Sequence, residues 1–151
     1  MKIKEKEIVF DMDGTIADLY GVKNWLEMLR AENPLPYRIV KPMYNMRNLA
    51  KILEALKAQG WTITVTTWLS MNSSKEYKEM VRKAKREWLE KWGFPYDEIH
   101  IVQYGTPKHR VTKAVRHILV DDSETVRNAW NGETVNANEN IIPSLISLLA
   151  E

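Results

Sequence analysis

The apolar run Ile8-Val9-Phe10 stops abruptly at Asp11-Met12-Asp13-Gly14-Thr15, and this junction constrains the fold more than any other stretch of the chain. A short, continuous apolar segment bounded by turn residues reads as a buried strand, here Ile3 to Phe10, breaking into a turn. Two aspartates one residue apart can face the same crevice if that turn bends sharply, and Gly14 supplies the backbone freedom for the bend.

The rest of the chain alternates between the two periodicities. Tyr20 to Glu32 repeats Val22, Trp25, Leu26 and Leu29 at helical spacing, and Asn33-Pro34-Leu35-Pro36 halts it, with an irregular path expected to Pro42. Met46 to Gln59 places Leu49, Ile52, Leu53 and Leu56 on one face and ends at Gly60. Trp61 to Trp68 is a β-branched strand. Ser73 and Ser74 offer an N-cap for a long helix through Lys91, closed by Gly93. Ile99 to Val102 reads as a strand, Pro107 to Val115 as a helix, and Ile118 to Val120 as a strand running into Asp121-Asp122. A short helix at Thr125 to Trp130, a strand at Thr134 to Ala137 and a closing helix at Ile142 to Leu149 follow. Strands alternating with helices predict an α/β fold, a three-layer Rossmann-like parallel sheet with helices on both faces. Such sheets carry their chemistry beyond the carboxyl ends of the strands.

With 151 residues, 44% hydrophobic and 28% charged, the expectation is one globular domain spanning 1–151. No stretch approaches the roughly 18 apolar residues of a membrane span. The charged N-terminus lacks the pattern of a secretion signal, so a cytoplasmic location is expected and no membrane partner. The absence of cysteine excludes thiolate metal sites and thiol nucleophiles, leaving carboxylate, hydroxyl, amine or imidazole for covalent chemistry. A net charge of +2 makes no case for nucleic acid. The basic helix Lys75 to Lys91 reads as a solvated face carrying i,i+4 ion pairs, with Tyr77, Trp88 and Trp92 as core aromatics, so nucleic acid is conceivable but not favoured. His100, His109 and His117 lack ligand spacing and take no catalytic role.

The polar residues following the strands are Asp11 and Asp13, Thr66 and Thr67, and Asp121 and Asp122. Carboxylates converging from two strands repel one another and call for a cation. An oxygen-only donor set points to Mg²⁺ rather than zinc, and Mg²⁺ favours phosphate esters.

These residues resemble the signature of the haloacid dehalogenase superfamily. Asp11-Met12-Asp13-Gly14-Thr15 matches its first motif, an apolar strand followed by Asp-x-Asp-Gly-[Thr/Val]. Thr66 or Thr67 stands where the family has a hydroxyl ending the next core strand. Lys108 stands at the third motif, a lysine on a helix, and Asp121-Asp122 at the fourth, an acidic pair after a strand. The resemblance implies that Asp11 attacks phosphorus to form an aspartyl-phosphate, and that Asp13 protonates the leaving oxygen and then activates water. It implies that Thr67, or its neighbour Thr66, binds a phosphoryl oxygen while Lys108 neutralises charge. Mg²⁺ would sit on Asp11, the main-chain carbonyl of Asp13, and Asp122, with Asp121 direct or behind it. Alternation prefers Thr67, the last candidate before Trp68. The loop Gly105-Thr106-Pro107 prefers Lys108 to Lys113. Asp13 favours phosphoryl transfer, since dehalogenating members lack the second aspartate.

Members of this superfamily often insert a cap after the first motif. Here about residues 18–45 leave room for a small helical insertion and an open site. Tyr20, Trp25, Tyr37, Arg38, Lys41 and Tyr44, with Trp68, offer stacking and positive charge. The arrangement is similar to 5′(3′)-deoxyribonucleotidases and to compact bacterial and phage relatives, which implies a nucleoside monophosphate or similar small phosphate ester as substrate. The alternatives are a phosphatase of another metabolite or of a nucleic-acid terminal phosphate, or a silent module that binds phosphate and Mg²⁺.

Overall fold

The computed structural model describes residues 4–112 and 114–151; Ile3 and the alternative lysine, Lys113, lie outside the described residues. Five strands, β1 (Lys6–Phe10), β2 (Trp61–Trp68), β3 (Glu98–Val102), β4 (Arg116–Asp121) and β5 (Glu133–Asn136), form one sheet in the order β3-β2-β1-β4-β5. All four pairings are parallel, as the strand and helix alternation predicts. No helix among the described residues is long and apolar enough to cross a membrane.

Side-chain alternation divides the sheet into two unequal faces. Ile8 and Phe10 of β1, Ile63 and Val65 of β2, and Ile118 and Val120 of β4 join the main core. There they meet Leu49, Leu53 and Leu56 of α3 (Met46–Ala58), Tyr77, Val81, Trp88 and Leu89 of α4 (Lys75–Lys91), and Leu145 of α6 (Ile142–Leu149). Val9 and Leu119 point the other way, onto Trp130 and Val126 of α5 (Glu124–Asn128). Glu7 shares that second face and is fully buried, accepting hydrogen bonds from the hydroxyls of Thr64 and Thr112.

The long helices begin and end where their sequences say. The Asn45 side chain caps α3 by accepting from Asn48 N at 3.1 Å, and the Ser74 hydroxyl caps α4 by accepting from Tyr77 N at 3.1 Å. Three segments differ from expectation. The Tyr20 to Glu32 helix is divided into a 3₁₀ turn at Leu19–Gly21 and α1 (Trp25–Arg30), because Asn24 takes a left-handed conformation with φ 62°. The stretch expected to be irregular contains α2 (Leu35–Ile39), started by Pro36 in the first turn and by the Asn33 carboxamide, which accepts from Leu35 N at 3.0 Å. The Pro107 to Val115 helix is replaced by a 3₁₀ turn at Lys108–Val111. Val115, which a helix would have had to bury, is 79% exposed. Thr112 is extended and tied to Glu7 instead.

The excursion that carries α1 and α2 leaves and rejoins the core at one point. Asp18 N donates to Lys41 O at 2.9 Å and Met43 N to Ile16 O at 2.9 Å. It is fastened to α4 at its middle, where the Glu32 carboxylate accepts from Ser74 N (2.9 Å) and from the Ser74 hydroxyl (2.5 Å), and where the Tyr77 hydroxyl donates to Asn33 O at 3.2 Å.

Candidate active site

The chain runs from β1 outward through β2 to β3, then returns to the opposite side of β1 as β4. The β1/β4 junction is therefore the point at which the winding reverses, where open α/β sheets leave a crevice at the strand ends. Asp11 and Asp13 leave β1 into this crevice, Thr67 stands at the end of β2, and Asp121 and Asp122 stand at the end of β4. All five line one cavity of about 730 Å³ together with Lys108.

Asp11 is fixed from three directions. Its main-chain N donates to Val120 O at 2.9 Å, Lys108 Nζ lies 2.8 Å from Oδ1, and the Thr15 hydroxyl donates to Oδ2 at 2.9 Å. Lys108, itself buried, also reaches Asp121 Oδ2 at 2.7 Å, and Ser123 N occupies the other oxygen of Asp121 at 2.9 Å. Burial disfavours the charge on Lys108, but Asp11 and Asp121 outweigh it and push its pKa up. The turn after Asp11 is closed by Ile16 N and Ala17 N, both 3.0 Å from Met12 O. At its apex Gly14 has φ +81°, and a Cβ there would strike the Asp122 carboxylate and stand 2.7 Å from the Tyr20 ring. Glycine is needed here both for backbone freedom and for the close approach of Asp122.

Carboxylate oxygens of Asp11, Asp121 and Asp122 lie within 4.8 Å of one another. Burial, followed by the Asp11 charge, pushes Asp122 up to about 7, and the same two causes raise Asp121. This repulsion, with oxygen as the only donor type, suits a hard divalent cation. Both oxygens of Asp11 accept from Lys108 and Thr15, and both of Asp121 from Lys108 and Ser123, so Asp122, reached among the described residues only by the Thr15 hydroxyl at 3.4 Å, is the carboxylate with most capacity to spare.

Thr66 is brought to a different place from Thr67. It is buried on the opposite face of β2, does not line the cavity, and its hydroxyl has no partner among the described residues. Of the aromatic and basic residues expected to face substrate, Tyr20, Trp25, Tyr37 and Trp68 line the cavity, whereas Arg38, Lys41 and Tyr44 do not. Tyr44 is turned toward the start of α6, where its hydroxyl accepts from Ile141 N at 3.3 Å.

The sequence reading missed Lys85. Placed there on a solvated basic face, it is fully buried and extends across the core to the site, with Nζ 3.1 Å from Asp13 Oδ2 and 2.7 Å from Thr67 Oγ1. Its position supplied the overlooked signal: Val81, Ala84, Lys85, Trp88 and Leu89 are all buried and follow helical spacing, so residue 85 belongs to the buried stripe of α4. Burial, opposed by Lys85, raises the pKa of Asp13.

A five-stranded parallel sheet in this order, with helices packed on it, is a Rossmann-like α/β fold. A crystal structure of D,D-heptose 1,7-bisphosphate phosphatase from Burkholderia thailandensis shares it, aligning over 83% of this chain and 71% of its own with a TM-score of 0.50 at 14% sequence identity. No family model matches the sequence, and no curated protein matches it.

Proposed function

We propose that the protein is a Mg²⁺-dependent phosphomonoesterase that works through an aspartyl-phosphate on Asp11. The observation that carries this reading is the convergence on one cavity of Asp11, Asp13, Thr67, Lys108 and Asp122 from three strand ends and a loop. Asp11 is buried and held by Lys108 and Thr15, so its carboxylate is already ordered in the site where attack on phosphorus would occur.

In the first half-reaction an Asp11 oxygen bonds to phosphorus, the bond from phosphorus to the ester oxygen breaks, and Asp13 gives its proton to that oxygen. Burial raises the pKa of Asp13, against the opposing pull of Lys85, which is the direction a proton donor needs. In the second half, Asp13 takes a proton from water, the water oxygen attacks phosphorus, and the bond to Asp11 breaks to release inorganic phosphate. Thr67 and Lys108 offer hydrogens to the phosphoryl oxygens. Asp11, the Asp13 carbonyl and Asp122 would hold Mg²⁺, with Asp121 behind them as the anchor of Lys108. When bound, the ion supplies positive charge beside the phosphoryl oxygens.

A nucleoside monophosphate is the substrate class that suits the cavity walls. Tyr20 packs edge-on against Trp25 at a centroid distance of 5.0 Å, and Trp68 packs against Tyr104 at 5.0 Å. Trp68 is pinned by its indole N–H, which donates to Thr106 O at 2.8 Å. Both pairs line the cavity, with Arg30 beside them. Residues 18–45 then act as a small fixed cap, and a cytoplasmic nucleotide pool would be the source of substrate.

The test is hydrolysis of p-nitrophenyl phosphate with and without Mg²⁺ by the wild type and by Asp11→Asn, followed by a phosphate-release screen over nucleotides, sugar phosphates and 3′-phosphorylated oligonucleotides. Metal-dependent turnover that disappears in Asp11→Asn is expected, with nucleotides preferred. Equal inactivity of both proteins would refute the phosphatase reading, and indifference to the nucleoside would refute the substrate class.

A further inference from the structure

Two buried lysines grip this site from opposite faces of the sheet. Lys108 comes from the thinly covered face and meets Asp11 and Asp121. Lys85 comes from α4 on the other face and meets neither.

The Lys85 ammonium has three hydrogens and three acceptors: Thr67 Oγ1 at 2.7 Å, the main-chain oxygen of Trp68 at 2.9 Å, and Asp13 Oδ2 at 3.1 Å. Tyr37, from α2 of the insertion, lies alongside with its ring centroid 5.3 Å from Nζ. Removing an ammonium from water is unfavourable unless it is both paired and hydrogen-bonded. At Lys85, Asp13 provides the pairing and the other two acceptors complete the set. Its neighbours on the same helix carry their charge outward, Lys83 being 74% exposed. A long side chain threaded into the core to reach two site residues is a demanding way to fill space, and the residues it touches have complementary roles.

The donor inventory fixes what those two residues can do. An ammonium only donates, so Thr67 Oγ1 must accept from Lys85, and its own hydrogen is left to point elsewhere. Thr67 has no other side-chain partner among the described residues and lines the cavity. Asp13 has Oδ2 engaged by Lys85, which leaves Oδ1 without a side-chain partner among the described residues, on a residue that lines the cavity. We propose that Lys85 is a positioning residue for phosphoryl transfer: it turns Asp13 so that its free oxygen addresses the leaving group, and turns Thr67 so that its hydrogen addresses the phosphoryl group. Lys85 neither gives nor takes a proton in either half-reaction. The inference rests on the phosphatase reading of the site.

Leaving-group dependence provides the test. Dinitrophenolate departs as a stable anion and needs no acid, whereas phenolate leaves well only when protonated. kcat/KM reports steps up to the transfer onto Asp11 and is blind to the later hydrolysis. Wild type, Lys85→Met and the exposed control Lys83→Met are compared on 2,4-dinitrophenyl phosphate and phenyl phosphate with saturating Mg²⁺, after circular dichroism has established that each is folded. A general acid contributes on the order of 100-fold or more, so Lys85→Met is expected to lose at least about tenfold more on phenyl phosphate than on the dinitro ester, while Lys83→Met behaves as wild type. Equal losses on both esters, or none, would overturn the proposal. Should Lys85→Met fail to fold, Lys85→Gln takes its place in both assays.

If the wild type shows no Asp11-dependent turnover of either ester, the phosphatase reading fails, and crystal structures of wild type and variant decide the positioning claim separately. The Asp13 carboxylate and the Thr67 hydroxyl are expected to adopt new rotamers in the variant while the contact between Lys108 and Asp11 is kept. Unchanged Asp13 and Thr67 conformers would overturn it.

Discussion

Gly14 and Gly93 both have positive φ, +81° and +68°, but their surroundings differ. A Cβ on Gly93, just beyond α4, would meet nothing within 4 Å, whereas a Cβ on Gly14 would collide with the Asp122 carboxylate and crowd the Tyr20 ring. Alanine in a left-handed conformation costs about 1–2 kcal/mol, so Gly93→Ala should lose that amount alone. Gly14→Ala adds an overpacking penalty of about 1–3 kcal/mol, for a total of about 2–5 kcal/mol. In a domain of this size each kcal/mol lowers Tm by about 2–4 °C. Gly93→Ala should therefore melt roughly 2–8 °C below wild type and Gly14→Ala roughly 4–20 °C below.

The diagnostic part is the metal. A ligand at 100 times its Kd stabilises the folded state by about 2.7 kcal/mol, which corresponds to a rise in Tm of roughly 5–11 °C. Thermal unfolding followed by circular dichroism, in EDTA and then in Mg²⁺, should show that rise in wild type and in Gly93→Ala. It should be smaller in Gly14→Ala, because relieving the collision moves Asp122 away from Asp11. Equal destabilisation of the two variants, with equal rises in Mg²⁺, would refute the claim that Gly14 sets the spacing of the carboxylates.

Two further outcomes follow from the charges. Lys108→Met leaves Asp11 and Asp121 facing each other without their shared cation, a change that costs about 3–5 kcal/mol when one partner of a buried pair is removed; Tm in EDTA should drop by roughly 6–20 °C and turnover should vanish, and a variant as stable as wild type would contradict the buried pairing. Burial and Asp11 raise Asp122 to about 7, so between about pH 5 and pH 7 the folded protein holds a proton that the unfolded chain has already released, and stability falls as pH rises through that window. The fall in Tm measured in EDTA should flatten in saturating Mg²⁺ and in Asp122→Asn, and a Tm in EDTA that rises from pH 5 to pH 7, with no difference in Asp122→Asn, would contradict the assignment.

The parts of this molecule that could be read from its sequence are those in which one local pattern has one physical solution. Ile8-Val9-Phe10 has a single way to be buried on both faces, so β1 and the turn after it were legible, and with them the strand ends where Asp11, Thr67 and Asp121 fall. The helix expected at Pro107 to Val115 failed because its pattern was judged without its neighbour: Glu7, distant in sequence, holds Thr112 extended, and Val115 faces solvent. Lys85 failed for the opposite reason. Its charge outweighed its place on a stripe of buried positions, although long basic side chains are able to lie along apolar surface. A lysine on the buried stripe of an amphipathic helix needs an anionic partner within reach of its four-carbon stem, and in a chain whose acidic turn follows the central strand the nearest such partner is the site itself. Asp13 lies two residues beyond the buried Asp11, and because Lys108 is already committed to Asp11 and Asp121, the cation that reaches Asp13 has to come from elsewhere, and the buried stripe of α4 supplies it as Lys85.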